Sequence, residues 1–377
     1  MDWTITNGSA LLDGRMQQAE VSLAGGLVAT GGGGRRLDAA GLLVLPGLVD
    51  IHGDAHERCL QPRPGIGFSP ALALRDTATQ LLANGITTAF LGVTLSWEPG
   101  LRSLGMWRAL MAALDEVRPH AAADLRVHLR FEAYNLAALE DALADIGAGR
   151  VHLLGFNDHT PGILQKLANP KELAKYAGRA GMKNEEFAAL TQQVAENAPA
   201  VPAARGKLAA AARAAGLPML SHDDGTAEDR HRFRALGATI CEFPTAEAVA
   251  RMAAADGEPV VMGAPNVVRG GSHIGWASAA PLAEQGVVSV LASDYHWPAM
   301  LNAAFTMVGR GVLDLPAAWA LVSTNPARAS GLVDRGTLSA GQRGDVVVVD
   351  PAGPGVVAVF AAGRLAHLSA EGASRLG

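Results

Sequence analysis

Eight short runs rich in β-branched and large apolar residues recur between residues 48 and 294, at 48–54, 86–93, 126–132, 151–156, 217–222, 238–243, 259–263 and 287–294. Ala/Leu-rich stretches separate them, and their composition and spacing predict helices over 70–84, 103–118, 135–147, 203–215, 226–236, 245–256 and 277–285. Strands alternating with helices over about 250 residues have the size and rhythm of an α/β chain folded as a (β/α)8 TIM barrel. The competing architecture, a doubly wound open sheet, calls for a glycine fingerprint after the first strand, and none follows 48–54.

The flanks read differently. Residues 1–47 are short strands with turns at Asn7-Gly8, Asp13-Gly14 and Gly25-Gly26. The glycines at 31–34 precede neither a Lys-Ser/Thr pair nor a helix, so they form a flexible turn rather than a phosphate loop. After residue 326 the style of the opening returns, with strands at 344–350 and 356–360 and a turn at Ala362-Gly363. The expected division is a small β domain built from 1–47 and 326–377 beside a barrel domain over 48–325.

A formal net charge of −5 gives no general basic field for nucleic acid. An anionic ligand must then be held by local Arg, Lys or metal. Cys59 and Cys241 are the chain's two cysteines, which argues against a disulfide scaffold and fits a reducing compartment, with the cytoplasm as the expected location. Neither lies in a nucleophile motif, so each reads as a small buried hydrophobe. The opening Met1-Asp2-Trp3-Thr4 lacks a basic region followed by an apolar one. No apolar run approaches the ~18 residues of a membrane span. The expected partner is a small anionic substrate, with no nucleic acid and no membrane; oligomeric state stays open, a homo-oligomer included.

Residues 157–202 are too many for a simple connection. They carry Lys166, Lys171, Lys175, Arg179 and Lys183, and spacing by four puts Lys171, Lys175 and Arg179 on one helical face. This is either a solvated surface helix or a mobile basic lid over an anionic substrate.

Chemistry in such a barrel collects at the C-terminal ends of the strands. Those ends read His52 and Asp54; Glu132; Asn157-Asp158-His159; Ser221-His222-Asp223-Asp224; Glu242; and Ser293-Asp294. Side chains at i and i+2 of a strand share a face, so His52 and Asp54 project together, an imidazole–carboxylate pair suited to Zn²⁺ or Mn²⁺. A capped turn could explain one such pair, but hardly a ligand type at nearly every strand end. Converging, they suffice for two divalent ions about 3.5 Å apart, bridged by a carboxylate. The expected ligands are His52, Asp54, His159, His222 and Asp294 with Glu132 as the bridge, and Asp294 doubles as general base. Asp223, Asp224 and Glu242 are weaker candidates, since each could cap a turn or pair with an Arg.

A second cluster runs from Met262 to His273. Gly270-Gly271 permits close backbone approach, and Asn266, Arg269 and His273 offer donors to phosphate oxygens. Pro62-Arg63-Pro64 sets another Arg just past the first strand. Arg63, Asn266, Arg269 and His273 are the expected substrate-binding residues.

Leu45-Pro46-Gly47-Leu48-Val49-Asp50-Ile51-His52, together with Asn325-Pro326-Ala327 and the 341–350 tail, resembles the amidohydrolase superfamily. A tighter resemblance spans nearly the whole chain. It rests on Pro62-Arg63-Pro64, His128-Leu129-Arg130-x-Glu132, Asp158-His159-x-Pro161-Gly162, Ser221 to Asp224, Glu242-Phe243-Pro244-Thr245, Gly263 to His273 and Ser293-Asp294-Tyr295. These segments are similar to the diphosphatase family of the carbon–phosphorus lyase pathway. The resemblance implies a metal-dependent barrel with a small β-sandwich made from both termini. It implies a divalent-metal site at the positions above, and hydrolysis of α-D-ribose 1-methylphosphonate 5-triphosphate to the 5-phosphate and pyrophosphate. Where the wider superfamily carries His-x-His and a modified lysine, this chain has Asp54 and Glu132. Ala55-His56-Glu57-Arg58 and His296 also depart from the family pattern, both at the rim of the site. The same metal site could instead cleave an amide or cyclic amide. A catalytically silent scaffold is a third reading, opposed by the complete set of ligand residues.

Overall fold

Ile86–Leu95 is buried along its whole length, as a strand covered on both faces must be, and that is why it reads as a nearly continuous apolar run. A computed structural model of the chain describes residues 2–63, 65–271, 275 and 277–377. In it eight parallel strands lie side by side in chain order: Leu48–Gly53, Ile86–Leu95, Asp124–Glu132, Leu153–Asn157, Met219–His222, Ile240–Glu242, Val260–Gly263 and Val290–Ala292. The eighth closes on the first. Asp294 donates its backbone N–H to His52 O at 2.9 Å, and Asp54 donates to Asp294 O at 2.9 Å. Helices cover the outside, so the fold is the expected TIM barrel.

The later strands are shorter than the apolar runs suggest. The chain leaves the sheet through a left-handed residue after three of them: Asp223 (φ 61°), Phe243 (φ 51°) and Asp294 (φ 55°). Non-glycine residues there are uncommon and concentrate at functional sites. Helices Ala299–Gly309, Leu315–Ala320 and Thr324–Ala329 follow the last strand and carry no clear signal in the sequence. Ala299–Gly309 is apolar on nearly every side, so it lacks the polar stripe that marks a surface helix.

Strands from both termini build two further sheets. One holds Trp3–Thr6, Val21–Ala24, Leu27–Ala29 and Arg35–Asp38; the other pairs Leu43–Pro46 with Val346–Asp350 and extends to Arg364–Leu368 on one side and Arg15–Gln18 on the other. Trp3, Ile5, Leu37 and Phe360 fill the space between them as a β-sandwich core. The run Val346–Val349 serves two interiors, because successive strand residues face opposite ways. Val346 and Val348 enter the sandwich core, while Val347 and Val349 join the core of the barrel. One residue, Gly47, joins the sandwich strand to the first barrel strand, and a Cβ there would lie 2.4 Å from Thr87. Among the described residues no helix is long and apolar enough to cross a membrane.

The segment after the fourth strand forms three helices, Thr160–Lys166, Pro170–Ala180 and Asn184–Ala195, with a core of Ile163, Ala177, Ala180 and Phe187. Pro170–Ala180 carries the basic residues the spacing indicates, but they do not act as one face. Lys175 is largely exposed beside Glu172, whereas Arg179 turns inward onto Glu98. Trp97 Nε1 donates to Thr160 Oγ1 at 2.9 Å. The insertion is therefore docked on the barrel by two polar ties.

At the opposite end of the barrel the Val127 N–H donates to His152 Nδ1 at 3.2 Å. Burial, with Arg118 and Arg126 nearby, drives this imidazole down to about 4. An imidazole whose folded pKa lies below its unfolded value of about 6.5 favours the fold above that value. The contribution is lost as pH falls from 6.5 to 4, because the unfolded chain takes up a proton that the folded chain refuses. Discounted for partial exposure, this is about 2 kcal/mol. His152→Gln is expected to lose correspondingly less stability between pH 7 and pH 4.5, read from urea midpoints at both pH values. Equal losses in the two proteins would show that His152 is not the responsible group.

Candidate metal centre

His128, Arg130 and Glu132 alternate along the third barrel strand, so all three share one face, and each is buried. His128 Nδ1 lies 3.1 Å from Ile51 O and must donate to that carbonyl, which leaves Nε2 a bare acceptor. That Nε2 is buried without a hydrogen-bond partner, and burial pushes the imidazole down to about 3. The fourth strand makes room with Gly155, where a Cβ would stand 2.6 Å from His128 Nε2.

Glu242, fully buried at the end of the sixth strand, joins two imidazoles. Oε1 is 2.8 Å from His52 Nδ1 and Oε2 is 2.8 Å from His222 Nδ1. The two rings lie nearly parallel, 7° apart in plane with centroids 5.5 Å apart. Burial alone would raise the Glu242 carboxyl, but His52 and His128 hold it well below the usual range. The His222 contact is a hydrogen bond, whereas the His52 contact is a charge contact without hydrogen-bond alignment; in both rings Nδ1 faces the carboxylate and Nε2 turns away from it. His52 Nε2 is buried without a partner. His222 Nε2 lies 3.1 Å from Arg130 Nη2 and 3.5 Å from Asp223 Oδ1.

Three sets of donor atoms lie close enough to hold a cation: His52, His128 and Glu242; His159, His222 and Asp223; and His52, Asp54 and Asp294. Burial lifts the Asp294 carboxyl to about 6. His159, which burial alone would depress, is lifted to about 9 by the adjacent Glu132 carboxylate. Five carboxylates, Asp54, Glu132, Asp223, Glu242 and Asp294, line the centre, and Arg130 pairs with one of them, Asp54 at 3.4 Å. Buried charge must be paired or coordinate metal. The excess of negative charge and the unpartnered imidazole nitrogens fit a divalent cation, and the N/O donors suit Zn²⁺ or Mn²⁺.

The strand-end residues of the sequence reading thus meet. His52, Asp54, His159, His222 and Asp294 all belong to these donor sets, while Glu132 lies against the His159 ring and its backbone N–H instead. His128 and Arg130, which the sequence offers only within a family motif, and Glu242 and Asp223, its weaker candidates, all face the centre. The alternation His128-x-Arg130-x-Glu132 could have shown the first two. Asp224 does pair with an arginine, the fully buried Arg230 at 3.2 Å.

Three of the expected substrate-binding residues lie among the described ones. Arg63 is exposed in a turn closed onto Ile66. Asn266 is spent on the backbone, accepting from Ala279 N at 3.0 Å and donating to Ala277 O at 3.4 Å. Arg269 is exposed in the last turn of helix Ala264–Arg269. His273 lies outside the described residues. A cavity of about 570 Å³ opens over Asp54, His159, His222 and Asp223, and Lys166, Tyr176 and Arg179 of the insertion form part of its wall. Both cysteines are free, and burial raises Cys241 to about 12, so its thiol is inert at neutral pH.

No family model matches the chain. It is 33% identical over 322 residues to alpha-D-ribose 1-methylphosphonate 5-triphosphate diphosphatase of Escherichia coli (strain K12), covering 83% of this chain and 84% of that protein. Solved structures share the architecture. Molinate hydrolase matches with a TM-score of 0.65 at 15% identity, over 97% of this chain and 94% of that one. N-isopropylammelide isopropylaminohydrolase from Burkholderia multivorans matches with a TM-score of 0.63 at 19% identity, over 97% and 98%. Dihydropyrimidinase from Brevibacillus agri matches with a TM-score of 0.58 at 15% identity, over 97% and 95%.

Proposed function

Since the chain belongs to the alpha-D-ribose 1-methylphosphonate 5-triphosphate diphosphatase family and is a hydrolase of the amidohydrolase superfamily, we propose that it hydrolyses a sugar triphosphate of this kind to the 5-phosphate and pyrophosphate, in a cytoplasmic compartment. The observation that carries this reading is the set of unpartnered imidazole nitrogens and surplus carboxylates at the C-terminal mouth of the barrel. The proposed holders of the metal are His52, Asp54, His159, His222 and Asp294, with Asp223 and His128 added from the geometry. The four positive charges of two divalent ions, with Arg130, would balance the five carboxylates. A bound divalent ion supplies Lewis acidity and lowers the pKa of water.

The residues of the chain do the rest. Glu242 fixes the His52 and His222 rings with Nε2 outward. Asp294 Oδ takes the proton from the attacking water, whose oxygen bonds to phosphorus as the P–O bond to pyrophosphate breaks. Arg130 adds fixed positive charge beside the developing negative charge.

The test is product analysis with Mn²⁺ or Zn²⁺ added. Phosphorus NMR is expected to show pyrophosphate and a sugar 5-phosphate forming in equal amounts. Release of a new carboxylate from a cyclic amide, with the triphosphate untouched, would move the protein to the amide-cleaving branch of its superfamily.

A further inference from the structure

Five lysine and arginine side chains reach the cavity over the metal centre: Arg102, Arg130, Lys166, Arg179 and Arg232. Four are already paired. Arg102 grips both oxygens of Glu57 at 3.0 and 3.1 Å. Arg130 lies between Asp54 and His222. Arg179 is on Glu98, and Arg232 is 2.8 Å from Asp229. Among the described residues the Lys166 ammonium has no ion pair or hydrogen bond, and the residue is exposed.

Its place is nevertheless fixed. Lys166 ends the helix Thr160–Lys166, which starts directly after His159. Ile163 anchors that helix in the insertion core, and Trp97 ties its first residue. Seven residues of helix put the Lys166 Cα about 10 Å from that of His159. That separation suits an anionic group one or two phosphates removed from the reacting phosphorus, with the flexible four-carbon arm closing the gap.

We propose that Lys166 is a specificity residue that grips the remote anionic end of a polyphosphate substrate. This rests on the polyphosphate reading above. A contact made equally in ground and transition states changes KM and leaves kcat alone.

The experiment titrates imidotriphosphate, whose P–N–P bridges resist hydrolysis, into Mn²⁺-reconstituted enzyme by calorimetry, alongside steady-state kinetics. Lys166→Met is expected to weaken binding about tenfold to a hundredfold, the range of a charge-assisted hydrogen bond, and to raise KM similarly with kcat within about threefold. Lys166→Arg should restore most of the affinity. Lys171→Met, on an exposed face of the same insertion, should bind like the wild type. Wild-type binding matched by Lys166→Met, or a loss confined to kcat, would overturn the role of Lys166 while leaving the polyphosphate reading intact. A wild-type enzyme that does not bind imidotriphosphate at all would overturn both.

Discussion

Asp294→Asn is expected to lower kcat about 10³-fold, within the span attributed to a positioned general base, while bound metal stays near the wild-type amount. The substitution keeps size and shape. The backbone at this position is clamped on both sides, its N–H on His52 O and its carbonyl receiving the Asp54 N–H, so the side chain should stay in place. What changes is proton affinity. The carboxylate, lifted by burial to about 6, can take a proton from water near neutral pH, and an amide cannot. Turnover and elemental analysis on the same preparation separate the two roles of this residue. Turnover within about tenfold of wild type would place the base elsewhere; loss of metal along with turnover would make Asp294 chiefly a ligand.

Glu242→Gln should have the next largest effect. The wild-type carboxylate accepts from His222 Nδ1 at one oxygen and lies 2.8 Å from His52 Nδ1 at the other, so it faces two imidazoles at once. A glutamine amide offers one oxygen and one NH2. The NH2 would oppose an Nδ1–H, forcing one ring to flip or change tautomer, and its Nε2 would no longer be a free acceptor. Removing an orienting partner behind a ligand typically costs 10- to 100-fold in metal affinity. Breaking a buried pair costs about 3 kcal/mol of stability. Metal-buffered titration and thermal unfolding read the two losses separately. Affinity within about twofold of wild type would mean that Glu242 does not orient these rings.

The barrel was legible because parallel strands buried on both faces must be apolar throughout, and eight such runs stand out against Ala/Leu-rich helices. The helices after residue 298 were not, because packing on several sides leaves no polar stripe to read. The site follows the same logic. His52, Asp54 and Asp294 could be found by looking where strands end. Glu242 could not be ranked correctly, since it faces two rings at once, His222 from the preceding strand and His52 from the first strand of the barrel. Asn266 shows what a sequence leaves out: its amide reads as fit for phosphate, and in the fold it also bonds to the backbone of Ala277 and Ala279.

The seam between the first and last barrel strands has a consequence for how the protein is made. Asp50 accepts from Ser293 N at 3.0 Å and from Ser293 Oγ at 2.5 Å, across 243 positions of chain. During synthesis His52 therefore leaves the ribosome long before Asp294 exists, and the sandwich strand at 43–46 waits longer still for its mate at 346–350. Contacts this distant in sequence form late, so a nascent chain can carry every histidine of the centre and still have no closed mouth to trap an ion.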